Sequence, residues 1–175
     1  MSGHNKWSKI KHKKAASDAK KSKVFTKLVR FITVEAKKCG GNLQSPGLAL
    51  AIQKGKEVNM PADTIERAVK KASTDPGTME AMLYEAYGPG GVAVIIDVLA
   101  ENKNRAAQEV RAILSRHGSA LAGVGAASWA FEKTHDGWVP HTTVDLSDED
   151  LAALEPFVDD LEDNDDVQTV YTNAN

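Results

Sequence analysis

Lys6, Lys9, Lys11, Lys13 and Lys14 crowd the first fourteen residues, with Trp7, His4 and His12 among them. Lys20, Lys23, Lys27, Arg30, Lys37 and Lys38 follow shortly after. Residues 1–42 carry 12 Lys+Arg against Asp18 and Glu35 alone, a net of +10. A solvated surface needs no such surplus, whereas a surface that neutralises the phosphates of a polyanion does. Lysine makes good phosphate contacts but offers no bidentate fork to a base edge, and Arg30 is the only arginine in the set. The chemistry indicated is therefore backbone neutralisation more than sequence readout. Trp7 has two readings of equal weight, a ring that stacks on a base and a staple that fixes the arm to a domain.

These side chains need an element to align them. At about 100° per residue, Phe25, Leu28, Val29, Ile32 and Ala36 fall on one side of a helix, and Lys20, Lys23, Lys27, Arg30, Lys37 and Lys38 on the other. The spacing predicts a helix that starts between Ala15 and Ser22 and ends at Gly40-Gly41, with residues 1–14 as a mobile polar arm. Ser45-Pro46 is an N-cap with proline at N1, opening a second helix with Leu48, Ile52 and Gly55 along one side. Beyond Met60-Pro61, a third helix turns Ile65, Ala68, Val69 and Ala72 inward. Three helices with short connections predict a small bundle.

Asp75-Pro76-Gly77 is a linker signal, dividing a basic helical domain at 1–78 from a second domain at 79–175. There the pattern changes to strands at Met82–Tyr87 and Val92–Leu99, joined by Gly88-Pro89-Gly90-Gly91. That turn lacks the ending of a phosphate loop and is structural. A helix capped by Asn102 carries Ala106, Val110, Ile113, Leu114 and His117 on one side. Asn102 to Arg105 could touch phosphate at a helix N-terminus, though capping accounts for Asn102 equally well. Should bases be read, Arg105 and Arg111 are the first candidates. Strands at 126–132 and 138–146, a helix opened by Ser147 and interrupted at Pro156, and a strand at 167–171 complete the order. From Val92 onward this is βαββαβ, so the fold class predicted is α+β, a three-helix domain followed by a ferredoxin-like domain.

Composition narrows the function. Residues 134–175 hold 12 Asp+Glu and no Lys or Arg, so the whole-chain net charge of −2 conceals oppositely charged ends. Cys39 is the only cysteine, which excludes an intramolecular disulfide and fits a reducing compartment. No apolar run approaches the ~20 residues of a membrane span, and the N-terminus lacks the apolar core of a secretory signal. The location expected is a bacterial-type cytoplasm, with no membrane partner. The histidines and Cys39 lack metal-ligand spacing, and no nucleophile–base arrangement can be argued from residue order. A non-enzymatic protein without a cofactor is expected. The sequence does not fix an oligomeric state.

Several motifs taken together resemble one family. They are Gly3-His4-Asn5-Lys6-Trp7-Ser8-Lys9-Ile10-Lys11-His12-Lys13-Lys14, Phe25-Thr26-Lys27-Leu28, Asn59-Met60-Pro61, Asp63-Thr64-Ile65-Glu66-Arg67-Ala68, Tyr87-Gly88-Pro89-Gly90-Gly91-Val92-Ala93 and Asn102-Lys103-Asn104-Arg105. With the acidic ending from Leu161 to Tyr171, they are similar to the YebC/PmpR family over nearly the whole chain. The resemblance implies a cytoplasmic nucleic-acid-binding protein and transcriptional regulator. It also implies a second role, since related proteins act in translation, helping ribosomes through proline-rich stretches, so the partner is DNA or ribosomal RNA. Family members have a third domain inserted in the second. Here Phe131-Glu132-Lys133 passes through Thr134-His135-Asp136-Gly137 almost directly to Val139, which leaves no room for it.

Overall fold

The structure is a computed structural model that describes residues 6–13, 18–74, 77 and 79–175. The chain divides into two compact units, residues 17–80 and residues 81–175 together with the N-terminal segment through residue 16. Most of the expected linker, Asp75 and Pro76, lies outside the described residues.

The first unit is the helical bundle. Helix α2 (Asp18–Lys38) packs on α3 (Pro46–Glu57) and α4 (Ala62–Thr74). Its expected apolar stripe faces the core: Ile32 and Ala36 are fully buried beside Leu48, Ala51, Met60, Ile65 and Ala68, with Phe25, Leu28 and Val29 packed around them. Helix α2 stops because Gly40 and Gly41 take φ of 60° and 78°, and the Gly41 N–H donates back to Ala36 O at 2.8 Å. Ser45 occupies the N-cap of α3, but its hydroxyl makes no capping bond; Pro46 at N1 sets the start.

In the second unit, β1 (Glu80–Tyr87) and β2 (Ala93–Ala100) flank a short 3-10 turn at Pro89–Gly91. After them come α5 (Lys103–Arg116), β3 (Leu121–Ala122), β4 (Phe131–Thr134), β5 (Gly137–Pro140), α6 (Asp148–Asp163) and β6 (Val167–Thr172). The main sheet has the order β3-β1-β2-β6, and β2 and β6 run antiparallel with a register shift between Asp97 and Val98. Helices α5 and α6 cover the face bearing Val94, Ile96 and Val98 through Val110, Leu114, Leu154 and Phe157. The other face, at Ala93 and Ile95, lies under Ala127, Ala130, Phe131 and Trp138.

The α+β class stands, but the single βαββαβ sheet does not form. Strands β4 and β5 pair only with each other, as a hairpin, and β1 takes the place beside β2. The expected strand at 126–132 begins only at Phe131. Its first part cannot join a ladder because the N–H groups of Gly125, Ala127 and Ser128 all donate to the Glu85 carboxylate, at 2.8, 2.7 and 2.8 Å. The expected strand at 138–146 is likewise short, ending at Pro140, with Val144 meeting Ala174 in a single bridge. The hairpin turns at Gly137, where φ is 120° and a Cβ would stand 2.3 Å from the Tyr171 hydroxyl. Only glycine meets both demands. Pro156 does not break α6: it sits on the exposed side, where the carbonyl it leaves unpaired can face water.

The expected mobile arm is the largest departure. Residues Lys6–Lys13 form a helix, α1, which packs against α6. Trp7 is 8% exposed and belongs to the same apolar cluster as Leu151 and Phe157, with Ile10 packed beside it. A polar segment thus docks through one large side chain placed where a helix can present it, together with its i+3 neighbour. Helix α1 goes with the C-terminal unit, not with the bundle that follows it in sequence.

Candidate nucleic-acid interface

The expected basic set falls into two groups, one in each unit. On α1, Lys6 and Lys9 are exposed, and Lys6 Nζ lies 3.5 Å from Asp148 at the start of α6. The backbone of Lys11 and Lys13 belongs to α1, while Lys14 lies outside the described residues. Trp7 takes the staple reading: its ring is in the core and is not available to stack on a base. Residues 81–175 hold 5 Lys+Arg against 17 Asp+Glu, so helix α1 packs on the acidic part of the chain.

The second group lies along α2. Lys20, Lys37 and Lys38 are exposed, and Lys23, Lys27 and Arg30 are half-buried. These last three each have a partner within the protein. The basic row is interrupted between Arg30 and Lys37. Val34, which the wheel sets between Arg30 and Lys27, is 8% exposed. Lys38 pairs with Glu35 at 2.6 Å, and Lys37 donates to Gly77 O. The row is thus most exposed at its two ends, at Lys20 and at Lys37-Lys38. Lys21 is exposed on the same helix and adds to it, though the wheel sets it apart from the row. The whole unit, residues 17–80, has 12 Lys+Arg against 7 Asp+Glu, a net of +5.

The other sequence candidates have structural employment. Asn102 caps α5, its side chain accepting from the Arg105 N–H at 3.0 Å. Arg105 donates to Asp166 Oδ2 at 3.0 Å, and that bond, then the carboxylate's charge, holds the guanidinium pKa above its usual value. Arg105 is thus committed to a nearly buried acid, which removes it as the first candidate for reading a base; Arg111 stays exposed. His117 meets Asp160 at 2.7 Å and packs edge-on against Phe157, as a structural histidine does. Gly88-Pro89-Gly90-Gly91 joins two strands, and a Cβ on Gly90 would come 2.4 Å from Leu146.

Sequence reading missed Glu85, which is 5% exposed. Burial opposes its ionisation, but the N–H donors of Gly125, Ala127 and Ser128, with the Ser128 side chain, outweigh that and hold its pKa below the ordinary value. Every donor is internal, so this acid organises a loop and is not a catalytic base. Tyr171 shifts the other way, raised by burial and then by the charge of Asp97. Among the described residues, no group of three His, Cys, Asp or Glu side chains could hold a metal ion. No helix there is long and apolar enough to cross a membrane.

Known proteins supply the remaining context. Residues 5–75 match the sequence model of the TACO1/YebC protein N-terminal domain. Residues 79–136 and 133–174 match that of the TACO1/YebC second and third domain, in two segments that meet at the β4-β5 turn. A protein of Petrotoga mobilis described as a probable transcriptional regulatory protein is 47% identical over 176 residues, covering 98% of this chain and 70% of the relative. A protein of the same description from Pseudothermotoga lettingae is 46% identical, with the same coverage. Among solved structures, a conserved hypothetical protein from Aquifex aeolicus superposes with a TM-score of 0.83 at 29% identity, covering 95% of each chain. Two matching family models and relatives this similar across nearly its full length make the chain a member of the TACO1/YebC family.

Proposed function

We propose that the protein is a non-enzymatic, nucleic-acid-binding regulator of gene expression that binds DNA through the basic face of α2, with the lysines of α1 as a second cationic patch. The observation that carries this reading is the division of α2 into a stripe packed in the bundle core and an opposite row of Lys20, Lys23, Lys27 and Arg30. The description of the relatives as probable transcriptional regulatory proteins supports it. Trp7 takes part only by holding α1 in place.

Such a surface acts by releasing counterions from phosphates. If roughly five basic side chains reach phosphates, log K falls against log salt with a slope of about −4.5 on a duplex, or about −3.5 on single strands. Affinity then drops by roughly two to three orders of magnitude between ~50 and ~200 mM salt, with little change when the sequence is scrambled. A salt titration on two unrelated duplexes and one structured RNA reads this directly. A flat response removes the basic face as the contact, and tighter binding to the RNA turns the reading toward the translational role that the family resemblance implies.

Charge removal on α2 gives a second measurement. Changing Lys23, Lys27 and Arg30 together to glutamine should keep the helix, because glutamine forms helix about as well as lysine. The slope on a duplex should become shallower by up to about 2.7, three contacts at ~0.9 each. A folded triple variant with unchanged affinity would refute the site.

A further inference from the structure

The row that α2 presents at four-residue intervals runs Lys23, Lys27, Phe31, Glu35. Two of these positions carry no positive charge. The structure supplies a cation to each. Lys38, one turn on, pairs with Glu35 at 2.6 Å. At Phe31 the cation comes from a different helix: Lys54 of α3 places its Nζ 5.8 Å from the centre of the ring. An ammonium over an aromatic face is attracted by the ring's quadrupole, which gives this long side chain a preferred place.

The position follows from how α3 is seated. Gly55 packs against Ile32, Ile65 and Met60, and Gly47 approaches Glu35 so closely that a Cβ there would stand 2.3 Å from its carboxylate oxygen. Gly55 neighbours Lys54 and Ile32 neighbours Phe31 along the chain, so the same packing that buries the glycine sets the lysine over the ring. One turn before Phe31 on that row is Lys27, and one turn before that is Lys23.

We propose that Lys54 is a phosphate-contacting residue of the nucleic-acid interface, filling the place in the cationic row where α2 has Phe31. This rests on the reading of α2 given above and extends its binding surface to a second helix. The ligand class is the sugar–phosphate backbone of a nucleic acid, met by Lys23, Lys27 and Lys54 in succession.

The test is Lys54→Gln in the full chain, titrated with salt on the same duplexes. One lost phosphate contact should make the slope shallower by about 0.9, so that the ratio of wild-type to variant affinity shrinks about 3.5-fold between ~50 and ~200 mM salt. Lys54→Arg, which keeps the charge and the ring contact, should keep the wild-type slope. An unchanged slope in folded Lys54→Gln overturns the inference, even if thermal stability falls, because that result confines Lys54 to packing on Phe31. The Lys23/Lys27/Arg30 triple variant separates the two levels. If it weakens binding while Lys54→Gln does not change the slope, only the Lys54 assignment fails. If neither variant alters binding, the reading of α2 fails with it.

Discussion

Replacing Trp7 with alanine should destabilise the C-terminal unit by about 3–4 kcal/mol, in the range for truncating a buried tryptophan. The ring is 8% exposed within the cluster that includes Leu151, Leu154 and Phe157. Helix α1 has eight residues, too few to persist without tertiary support. Ile10 packs beside the ring, and the exposed Lys6–Asp148 ion pair adds about 0–1 kcal/mol. The expected loss is therefore the docking energy of the whole helix, and deleting residues 1–13 should cost about as much as the point change. Urea unfolding followed by circular dichroism measures both. A loss below ~1 kcal/mol for Trp7→Ala would mean that the helix is held by something other than its tryptophan. A fragment beginning near Met79 lacks α1 and should carry the same deficit.

The second large effect belongs to Glu85. Glu85→Ala should cost about 3–4 kcal/mol, since it strands the N–H groups of Gly125, Ala127 and Ser128, one of them fully buried. Glu85→Gln should cost about 2 kcal/mol, because an amide keeps one acceptor oxygen but turns an NH₂ group toward the donors. The direction with pH follows from the lowered pKa. In the unfolded chain a Glu takes up its proton near pH ~4.3. The folded carboxylate resists protonation until lower pH, so its contribution is complete above the unfolded value and is lost as pH falls through the folded one. The stability gap between wild type and Glu85→Gln should thus be constant at neutral pH and narrow only in acid. A gap that is already closing between pH 7 and 6 would contradict the arrangement.

The bundle was legible because its signals are local. Phe25, Ile32 and Ala36 repeat at helical spacing, and Pro46 and Gly40-Gly41 punctuate the helices, so a wheel and a few stop signals suffice. The burial of Val34, on the basic side of the wheel, was not legible, because idealised angles do not show what covers a residue. Pairings between distant segments were harder. Nothing around Ala126 announces that its neighbours' amides belong to Glu85, some forty residues earlier, and without that bond the segment resembles a strand. Trp7 offered a stacking ring and a staple equally, since composition places a tryptophan among lysines without saying which surface it meets. Lys54 escaped because it lies outside the basic N-terminal run and joins the row only through the packing of α3.

The docking of α1 sets an order on how this chain can be made. Helix α1 leaves the ribosome well before its seat on α6, with a sequence separation of 135 residues between Lys13 and Asp148. The bundle at 17–80 needs only local contacts and can close while synthesis continues. Throughout that interval Trp7 has no core to enter. The docking of α1 on the C-terminal unit is therefore a long-range closure, whose rate should reflect chain topology more than helix propensity.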